Sequence, residues 1–353
     1  LHYYGWKIPT DSVDRKTTAQ RYQDVGGAFS FASHKKDSAT LNYNVGLSYA
    51  NFSSKKPTAD SLADWRAREN YFAINASGWY KYGKEIFAAD FNIRYNGYKY
   101  GSIGDTNISM LDSGIVLNNT IINLKPTITT FSKDNRLKAK IGVDIVVDAH
   151  TTTKAHIYPV AEVKYSLFND IFIPYIGLRG GLKQTTFKSL TVDNEFVLPN
   201  LAMQNENTII DFYGGFKGTL SKRMSFNISA SFARIQNKAL FVTDTTYSVG
   251  NKFNLVFDTL NLTTIEGSLS YQLNEKLKID GIGRFYSYSL LNNSYAWNLP
   301  QWQAIARGSY NLFDKFLVNL DLNFEGGRKA LVYALEDDVT LENNQFAKTL
   351  GLV

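Results

Sequence analysis

The strongest constraint on this chain is a strict alternation of apolar and polar residues that is sustained over long segments. In the segment 316–325, every second residue is apolar, and four of the five residues between them are polar. Comparable segments cover 39–52, 87–96, 137–148 and 224–232. Successive side chains of a β-strand point to opposite faces of the sheet. Each segment therefore predicts a strand with one apolar and one polar face.

The length of these segments favours a transmembrane β-barrel over a soluble β-sandwich. Segments such as 39–52 and 137–148 run well past the usual sandwich strand of about 5–6 residues, whereas a tilted membrane strand needs roughly 9–11 residues. A large apolar side chain left in water forgoes roughly 1.5–3 kcal/mol, which sums to on the order of 100 kcal/mol over about fourteen strands with about five such side chains each. Lipid covers that apolar face without a second sheet.

Short and long connections alternate along the chain. The short polar turns lie at 35–37, 82–84, 133–136, 169–170, 222–223, 274–276 and 314–315, and the long connections lie near 7–18, 54–68, 101–118, 183–207, 237–257, 291–301 and 329–345. The brief link 151–153 is an exception. This rhythm is typical of an antiparallel outer-membrane barrel with short periplasmic turns and long extracellular loops. We count about sixteen strand segments in a single domain over 1–353, and we expect the barrel to be incomplete at both ends.

Two prolines are the main irregularity in the predicted strands. A proline removes a donor from the hydrogen-bond ladder and belongs at an edge or a bulge. We therefore predict local bulges at Pro159 and Pro174, close to the membrane interface.

Composition excludes several other classes of protein. The chain has no cysteine, which excludes a disulfide scaffold and a thiolate metal site. Its net charge of +6 is scattered along the sequence, so we expect no nucleic-acid partner. Mean hydropathy is -0.24, and no apolar stretch approaches the roughly 18 residues of a spanning helix. We expect no cofactor and predict that the protein is not an enzyme.

Three segments, 2–5, 165–175 and 324–328, resemble the β-barrel portion of TonB-dependent-receptor-like outer-membrane proteins of Bacteroidota. The resemblance covers essentially the whole chain and rests on the style of the strands. It implies a barrel of about 22 strands in the bacterial outer membrane, surrounded by lipid and lipopolysaccharide. It also implies TonB or other envelope proteins as partners, although no plug domain or TonB-contacting motif is visible in this sequence.

The function that this resemblance implies is uptake of a nutrient through a TonB-dependent-receptor-like barrel. The alternative is a plugless pore, or a structural or accessory barrel subunit of an outer-membrane secretion or assembly complex. A hydrolase at the extracellular rim is the weakest of the hypotheses.

Three sets of residues are candidates for a site. The first set consists of charged residues on the predicted inward faces. They would shape a selective lumen or hold a plug, and the alternative is that they merely line a hydrated interior. The candidates for substrate binding in this set are Arg94, Glu162, Arg179, Lys217, Arg284, Arg307 and Asp321. In the long connections, Trp65, Arg66 and the aromatic residues of 183–207 would bind a ligand or partner, unless these loops fold into the barrel mouth and close it. The best candidate for metal or acid–base chemistry is formed by Asp148, His150 and His156, and the alternative is that these three are solvated residues of the rim.

Overall fold

The structure is a computed structural model, and it describes residues 21–33, 41–55, 66–100, 115–244, 252–312, 315–331 and 346–349. The elements in these residues are β1 (Arg21–Ala32), β2 (Leu41–Lys55), β3 (Ala67–Tyr82), β4 (Glu85–Tyr100), β5 (Ile115–Phe131), β6 (Leu137–Ala149), β7 (Thr153–Tyr165), β8 (Ile173–Lys183), α1 (Phe187–Asp193), β9 (Glu206–Ser221), β10 (Met224–Thr243), β11 (Phe253–Gln272), β12 (Leu277–Leu290), β13 (Trp302–Leu312), β14 (Phe316–Gly326), β15 (Arg328–Leu331) and β16 (Phe346–Thr349).

Strands β1 to β14 form one 14-stranded sheet in which neighbours in the sheet are also neighbours along the chain. Every pair in it is antiparallel, and β15 and β16 form a separate two-stranded sheet. The predicted all-β antiparallel architecture is therefore confirmed. Among the described residues, no helix is long and apolar enough to cross a membrane.

The two faces of the sheet have the burial pattern of a membrane barrel. On β5, the polar residues Asn119 and Asn123 are buried, whereas the apolar residues Ile122 and Leu124 on either side of Asn123 are exposed. A soluble sandwich would bury the apolar face against a second sheet. The outward face of this sheet is instead apolar and needs hydrocarbon around it, and the inward face is polar.

Individual exposures show how strongly this arrangement depends on lipid. Leu41, Ile141 and Ile157 are 59%, 61% and 72% exposed on three different strands. In water each would lose roughly 1.5–3 kcal/mol of burial free energy. The apolar faces of these alternating strands are therefore the lipid-contacting surface.

The connections lie as the alternation of short and long segments predicts. β3 and β4 are joined by a tight turn through Gly83, whose φ of 60° favours glycine, and β9 and β10 are joined by the two residues 222–223. Because the strands are antiparallel and sequential, these turns lie at one rim and the long connections 184–205 and 291–301 lie at the other. By the usual orientation of such barrels the first rim is periplasmic.

The predicted bulges at Pro159 and Pro174 are wrong. Both prolines pair with a neighbouring strand without a register shift at their position. The ladder between β7 and β8 covers only 161–164 and 175–178, so each proline lies just outside it. Neither missing N–H therefore interrupts that ladder, and no bulge is needed.

A third proline does disturb a ladder. The pairing of β5 with β6 omits Lys125 and Pro126, although the register on both sides of the gap is the same. Gly142 of β6 lies against this gap, where an added Cβ would be 2.4 Å from the Pro126 carbonyl oxygen. The close approach of the two backbones therefore requires glycine at this position.

Candidate functional site

The connection 184–205, here called the strap, folds onto the inward face of the sheet. Its helix α1 begins after Thr186, whose hydroxyl accepts a hydrogen bond from the Ser189 N–H at 3.0 Å, while the Ser189 hydroxyl accepts one from the Thr186 N–H at 3.0 Å. This reciprocal capping box satisfies two donors at the helix start. A helix of seven residues is too short to be stable alone, so the strap depends on what it contacts.

One end of the strap is held by a buried carboxylate of the barrel wall. Glu69 of β3 is 2% exposed and accepts hydrogen bonds from the Phe187 N–H at 2.5 Å and the Lys188 N–H at 2.8 Å. The first turn of a helix has free N–H groups and a partial positive charge, so a carboxylate is a favourable partner there. Glu69 therefore ties α1 to the wall at β3.

Further contacts attach the same part of the strap to neighbouring strands. The Tyr98 hydroxyl of β4 donates to the Pro199 carbonyl, and the Tyr22 hydroxyl of β1 donates to the Glu195 carbonyl. Lys188 also pairs with Asp24 of β1. These bonds place the strap against the wall formed by β1 to β4.

The opposite wall is reached at β11. The Leu198 N–H donates to the Phe253 carbonyl at 2.8 Å, the Phe253 N–H donates to the Phe196 carbonyl at 3.0 Å, and Val197 and Phe253 form an isolated parallel bridge. The neighbouring Lys252 lies outside the strands, and burial lowers the pKa of its ammonium group to about 8 because desolvation disfavours the charged form. The strap thus spans the concave face from β1 to β11.

A hydrophobic core fills the space under the strap. Phe187 and Leu198 are 1% and 0% exposed, and they belong to a cluster with Phe52 of β2 and Tyr98 of β4. These wall residues lie on the inward face, because they are in the opposite phase of the alternation to the exposed Tyr95 of β4 and Tyr49 of β2. Of the two interpretations left open for 183–207, the structure favours the one in which the loop folds into the barrel mouth.

Below the strap, the inward face forms a polar cavity of about 350 Å³. Its lining comes from β2 to β6 and from the end of β8, and comprises Asn44, Asn75, Ala76, Ser77, Asp90, Asn92, Arg94, Asn123, Lys125, Asp144, Val146, Gly181 and Leu182. Arg94, predicted as a lumen residue, is therefore part of a defined cavity. Gly181 and Leu182 lie at the end of β8, one residue before the strap, so the strap begins at the edge of this cavity.

The register places the charged groups of this cavity at different levels. Asp90 and Lys125 are directly opposite each other on β4 and β5, and the register of β5 with β6 continues this level to Asp144. Arg94 lies four residues from Asp90 along β4, which corresponds to about 13 Å. None of these four side chains forms a direct ion pair with another described residue, but the Asp144 carboxylate interacts electrostatically with Lys125, Arg94 and Asp90.

A row of asparagines lies between those two levels. Asn75, Asn92 and Asn123 are directly opposite one another on β3, β4 and β5. The Asn92 side-chain amide donates to the Asn123 side-chain oxygen at 2.9 Å, and Asn123 in turn donates to Asp144. The cavity therefore presents several amide groups in addition to its four charges.

Two other predicted inward charges form ion pairs on the wall, Arg179 with a residue of β9 and Glu162 with a residue of its own strand β7. Arg179 Nε lies 2.7 Å from Asp211, and Glu162 lies 2.9 Å from Lys164. The Tyr213 hydroxyl donates to Glu162 at 3.0 Å, and its ring lies 4.6 Å from the Arg179 guanidinium. Glu162 and Arg179 are thus brought into one cluster on β7 to β9.

The remaining predicted charges lie toward the periplasmic rim and the last strands. Arg284 Nε is 2.6 Å from Glu266, and Arg307 Nε is 3.7 Å from Asp321. Lys217 and Arg307 also line a second, more open cavity of about 750 Å³. Arg66 lies directly before β3, and Trp65 lies outside the described residues.

The three rim residues proposed for metal or acid–base chemistry have other contacts. Asp148 accepts a hydrogen bond from the Asn205 side chain at 2.8 Å, and His156 stacks on Tyr158 with ring centroids 5.9 Å apart. His150 contacts only its neighbouring threonine among the hydrogen bonds of the described residues. In the part of the chain that the structure describes, no group of three or more His, Cys, Asp or Glu side chains is arranged to hold a metal ion.

A further anchor at the extracellular rim was not predicted from the sequence. Asp258 is 2% exposed and accepts hydrogen bonds from the N–H groups of Asn292 at 3.1 Å and Asn293 at 2.7 Å, as well as from both of their side-chain amides. It fixes the loop 291–301, from which Trp297 packs against Leu240 in a small core. The one sequence feature that indicates an anchoring role for Asp258 is its inward position in the alternation.

No family model and no curated protein matches this chain by sequence. Solved structures with the same fold include the copper transporter OprC (TM-score 0.54, 13% identity, 86% of this chain and 54% of that chain). They also include the pyoverdine outer membrane receptor FpvA from Pseudomonas aeruginosa PAO1 (TM-score 0.54, 13% identity, 89% of this chain and 51% of that chain). A third is the ferric-catecholate import receptor Fiu from K12 E. coli (TM-score 0.55, 11% identity, 87% of this chain and 54% of that chain). The chain spans about half the length of these proteins.

The fold, the apolar outward face and these likenesses define the class of protein. The chain has the antiparallel β-barrel fold of outer-membrane proteins, and its apolar outward face places it in the bacterial outer membrane. Its inward face carries the strap and a polar cavity beneath it.

Proposed function

We propose that this chain forms the wall and the extracellular closure of an outer-membrane uptake receptor, in which solute enters the lumen only when the strap moves. The observation that carries the proposal is the docking of the strap on both walls, through Glu69 on one side and Phe253 on the other. A permanently open pore would not need a hydrophobic core across its mouth.

Movement of such a closure requires an energy source or a ligand that favours the open state. By its resemblance to TonB-dependent receptors, we propose that TonB supplies that energy through a plug domain of the whole protein. The solved relatives are transporters and receptors for copper, pyoverdine and ferric catecholate by name. Their ligands are not assigned to this chain.

Cysteine labelling tests the closure directly, because the chain has no cysteine of its own. Asn92→Cys places a thiol in the cavity below the strap, and Leu291→Cys places a control thiol on the exposed extracellular rim, where the side chain is 71% exposed. A membrane-impermeant maleimide is added to intact cells that express the full-length protein. We expect slow labelling at Asn92→Cys and fast labelling at Leu291→Cys.

Replacement of 184–205 by a short Gly-Ser linker should accelerate labelling of Asn92→Cys at least about tenfold and leave Leu291→Cys unchanged. Equally fast labelling of both thiols in the protein with an intact strap would refute the closure and support an open pore. A protonophore should slow the labelling of Asn92→Cys further if TonB moves the strap. Labelling that does not respond to the protonophore would refute the coupling to TonB.

The alternative of a structural subunit in a secretion or assembly complex has a separate test. Purification of the full-length protein from native membranes should yield it without a stoichiometric set of envelope proteins other than TonB components. A stable complex of fixed stoichiometry, together with no energised change in labelling, would favour the structural function.

A further inference from the structure

The charged residues of the cavity under the strap are arranged with net negative charge at one end and positive charge at the other. At the level nearer the periplasm, Asp90, Lys125 and Asp144 have a net formal charge of −1. Arg94 contributes +1 four residues further along β4, so its Cα lies about 13 Å closer to the extracellular rim than the Cα of Asp90. The uncharged asparagine row lies between the two levels. A ligand that fits this arrangement carries a cation at one end, an anion at the other end and amide-like groups between them.

Arg94 gives a second, independent indication of a missing partner. Its Nε is buried and has no hydrogen-bond partner, whereas buried polar atoms are satisfied in the large majority of cases. The Arg94 backbone carbonyl is already used by the strap residue Gln184, whose side-chain amide donates to it at 3.4 Å. A guanidinium held at the edge of the strap with a free donor is suited to a carboxylate, which it binds through charge-assisted hydrogen bonds.

Length and volume restrict the ligand further. An extended polypeptide spans about 3.3–3.6 Å per residue, so a peptide of three or four residues separates its terminal ammonium and carboxylate by roughly 10–14 Å. Its peptide groups would lie beside Asn75, Asn92 and Asn123, whose side chains are amides with both donors and acceptors. The cavity of about 350 Å³ is within the usual range of small-molecule sites, about 300–1,000 Å³.

We propose that this cavity binds short zwitterionic peptides, with the ammonium group at Asp90 and the carboxylate at Arg94 under the strap. The proposal rests on the proposed uptake function and names its substrate class. The ligand is held between the two charged levels, and its carboxylate end lies where the strap begins. Occupancy of Arg94 therefore couples the ligand to the segment that closes the mouth.

Titration calorimetry on the detergent-solubilised full-length protein tests the inference without any transport step. Triglycine is the probe, and N-acetyl-triglycine amide, which has the same peptide groups and no terminal charges, is the matched control ligand. Triglycine should bind, and the blocked peptide should bind at least about tenfold more weakly because each charged end loses its partner.

Variants localise the binding to the cavity. Arg94→Gln and Asp90→Asn should each weaken triglycine binding at least about tenfold. The matched controls Arg136→Gln and Asp134→Asn alter an exposed pair on a periplasmic turn and should leave binding unchanged. Arg94→Lys keeps a positive charge and serves as the second variant if Arg94→Gln does not assemble.

The inference is overturned if triglycine does not bind, if the blocked peptide binds equally well, or if Arg94 and Asp90 variants bind like the controls. Preferential binding of a neutral sugar such as maltotriose would overturn it in the same way. These outcomes are separate from the maleimide experiment. Fast labelling of Asn92→Cys would refute the proposed closure even if triglycine binds. Failure of triglycine to bind would refute the peptide site and would not affect the proposed closure.

Discussion

Replacement of Glu69 by alanine should release the strap while the barrel wall stays folded. The carboxylate accepts two hydrogen bonds from backbone donors of α1, and hydrogen bonds to a charged group contribute about 1.5–3 kcal/mol each. Part of that gain is offset by the cost of burying the carboxylate, so we expect a net loss of about 2–4 kcal/mol for Glu69→Ala. A loss of about 2 kcal/mol raises the population of the open strap about thirtyfold.

Hydrogen–deuterium exchange measures this population through the amides of Phe187 and Lys188. Both should exchange at least about thirtyfold faster in Glu69→Ala. Glu69→Gln retains one acceptor oxygen and should show a smaller increase. Glu266→Ala is the control, because Glu266 pairs with Arg284 on the wall away from the strap. Exchange that changes less than about threefold in Glu69→Ala would refute the assignment of Glu69 as an anchor.

Three further perturbations have expected outcomes. Leu198→Ala removes a fully buried side chain of the strap core and should destabilise the docked strap by about 2–5 kcal/mol, measured as faster proteolysis of 184–205; unchanged proteolysis would contradict the packing. Asp258→Ala should expose the loop 291–301 to proteases without affecting the strap, because it removes the acceptor for the Asn293 N–H; equal loosening of both segments would contradict separate anchors. Gly142→Val should lower the thermal stability of the assembled barrel through its clash at β5, and a melting temperature equal to wild type would show that the strands separate there at no cost.

The barrel itself was largely predictable from the sequence, because the alternation determines which side chains face lipid. The segment 137–148 predicted the extended strand β6 nearly to its ends, and the short turns marked the periplasmic rim. Proline was a weaker guide. Pro159 and Pro174 lie outside the short ladder between β7 and β8, whereas Pro126 disturbs the pairing of β5 with β6. The strand register decides whether a proline lies inside a hydrogen-bonded ladder, and the local sequence does not specify that register.

The candidate site was predictable only in part. The alternation correctly assigned Arg94 to the inward face, but the cavity around it depends on residues from six strands. Glu69 has the same pattern as any inward polar residue, and its partners in α1 follow 118 and 119 residues later. The strap sequence has no period of its own, so its fold follows from tertiary contacts that a single sequence does not display.

The anchoring of α1 by a residue so far back along the chain has a consequence for biogenesis. Contacts of high sequence separation form late, since the intervening polypeptide must first be ordered. The docking of 184–205 also needs Phe253, which lies on a strand that follows the loop. The strap can therefore dock only after the strands that carry Glu69 and Phe253 are both in place, so the entrance stays unsealed until that stage of assembly.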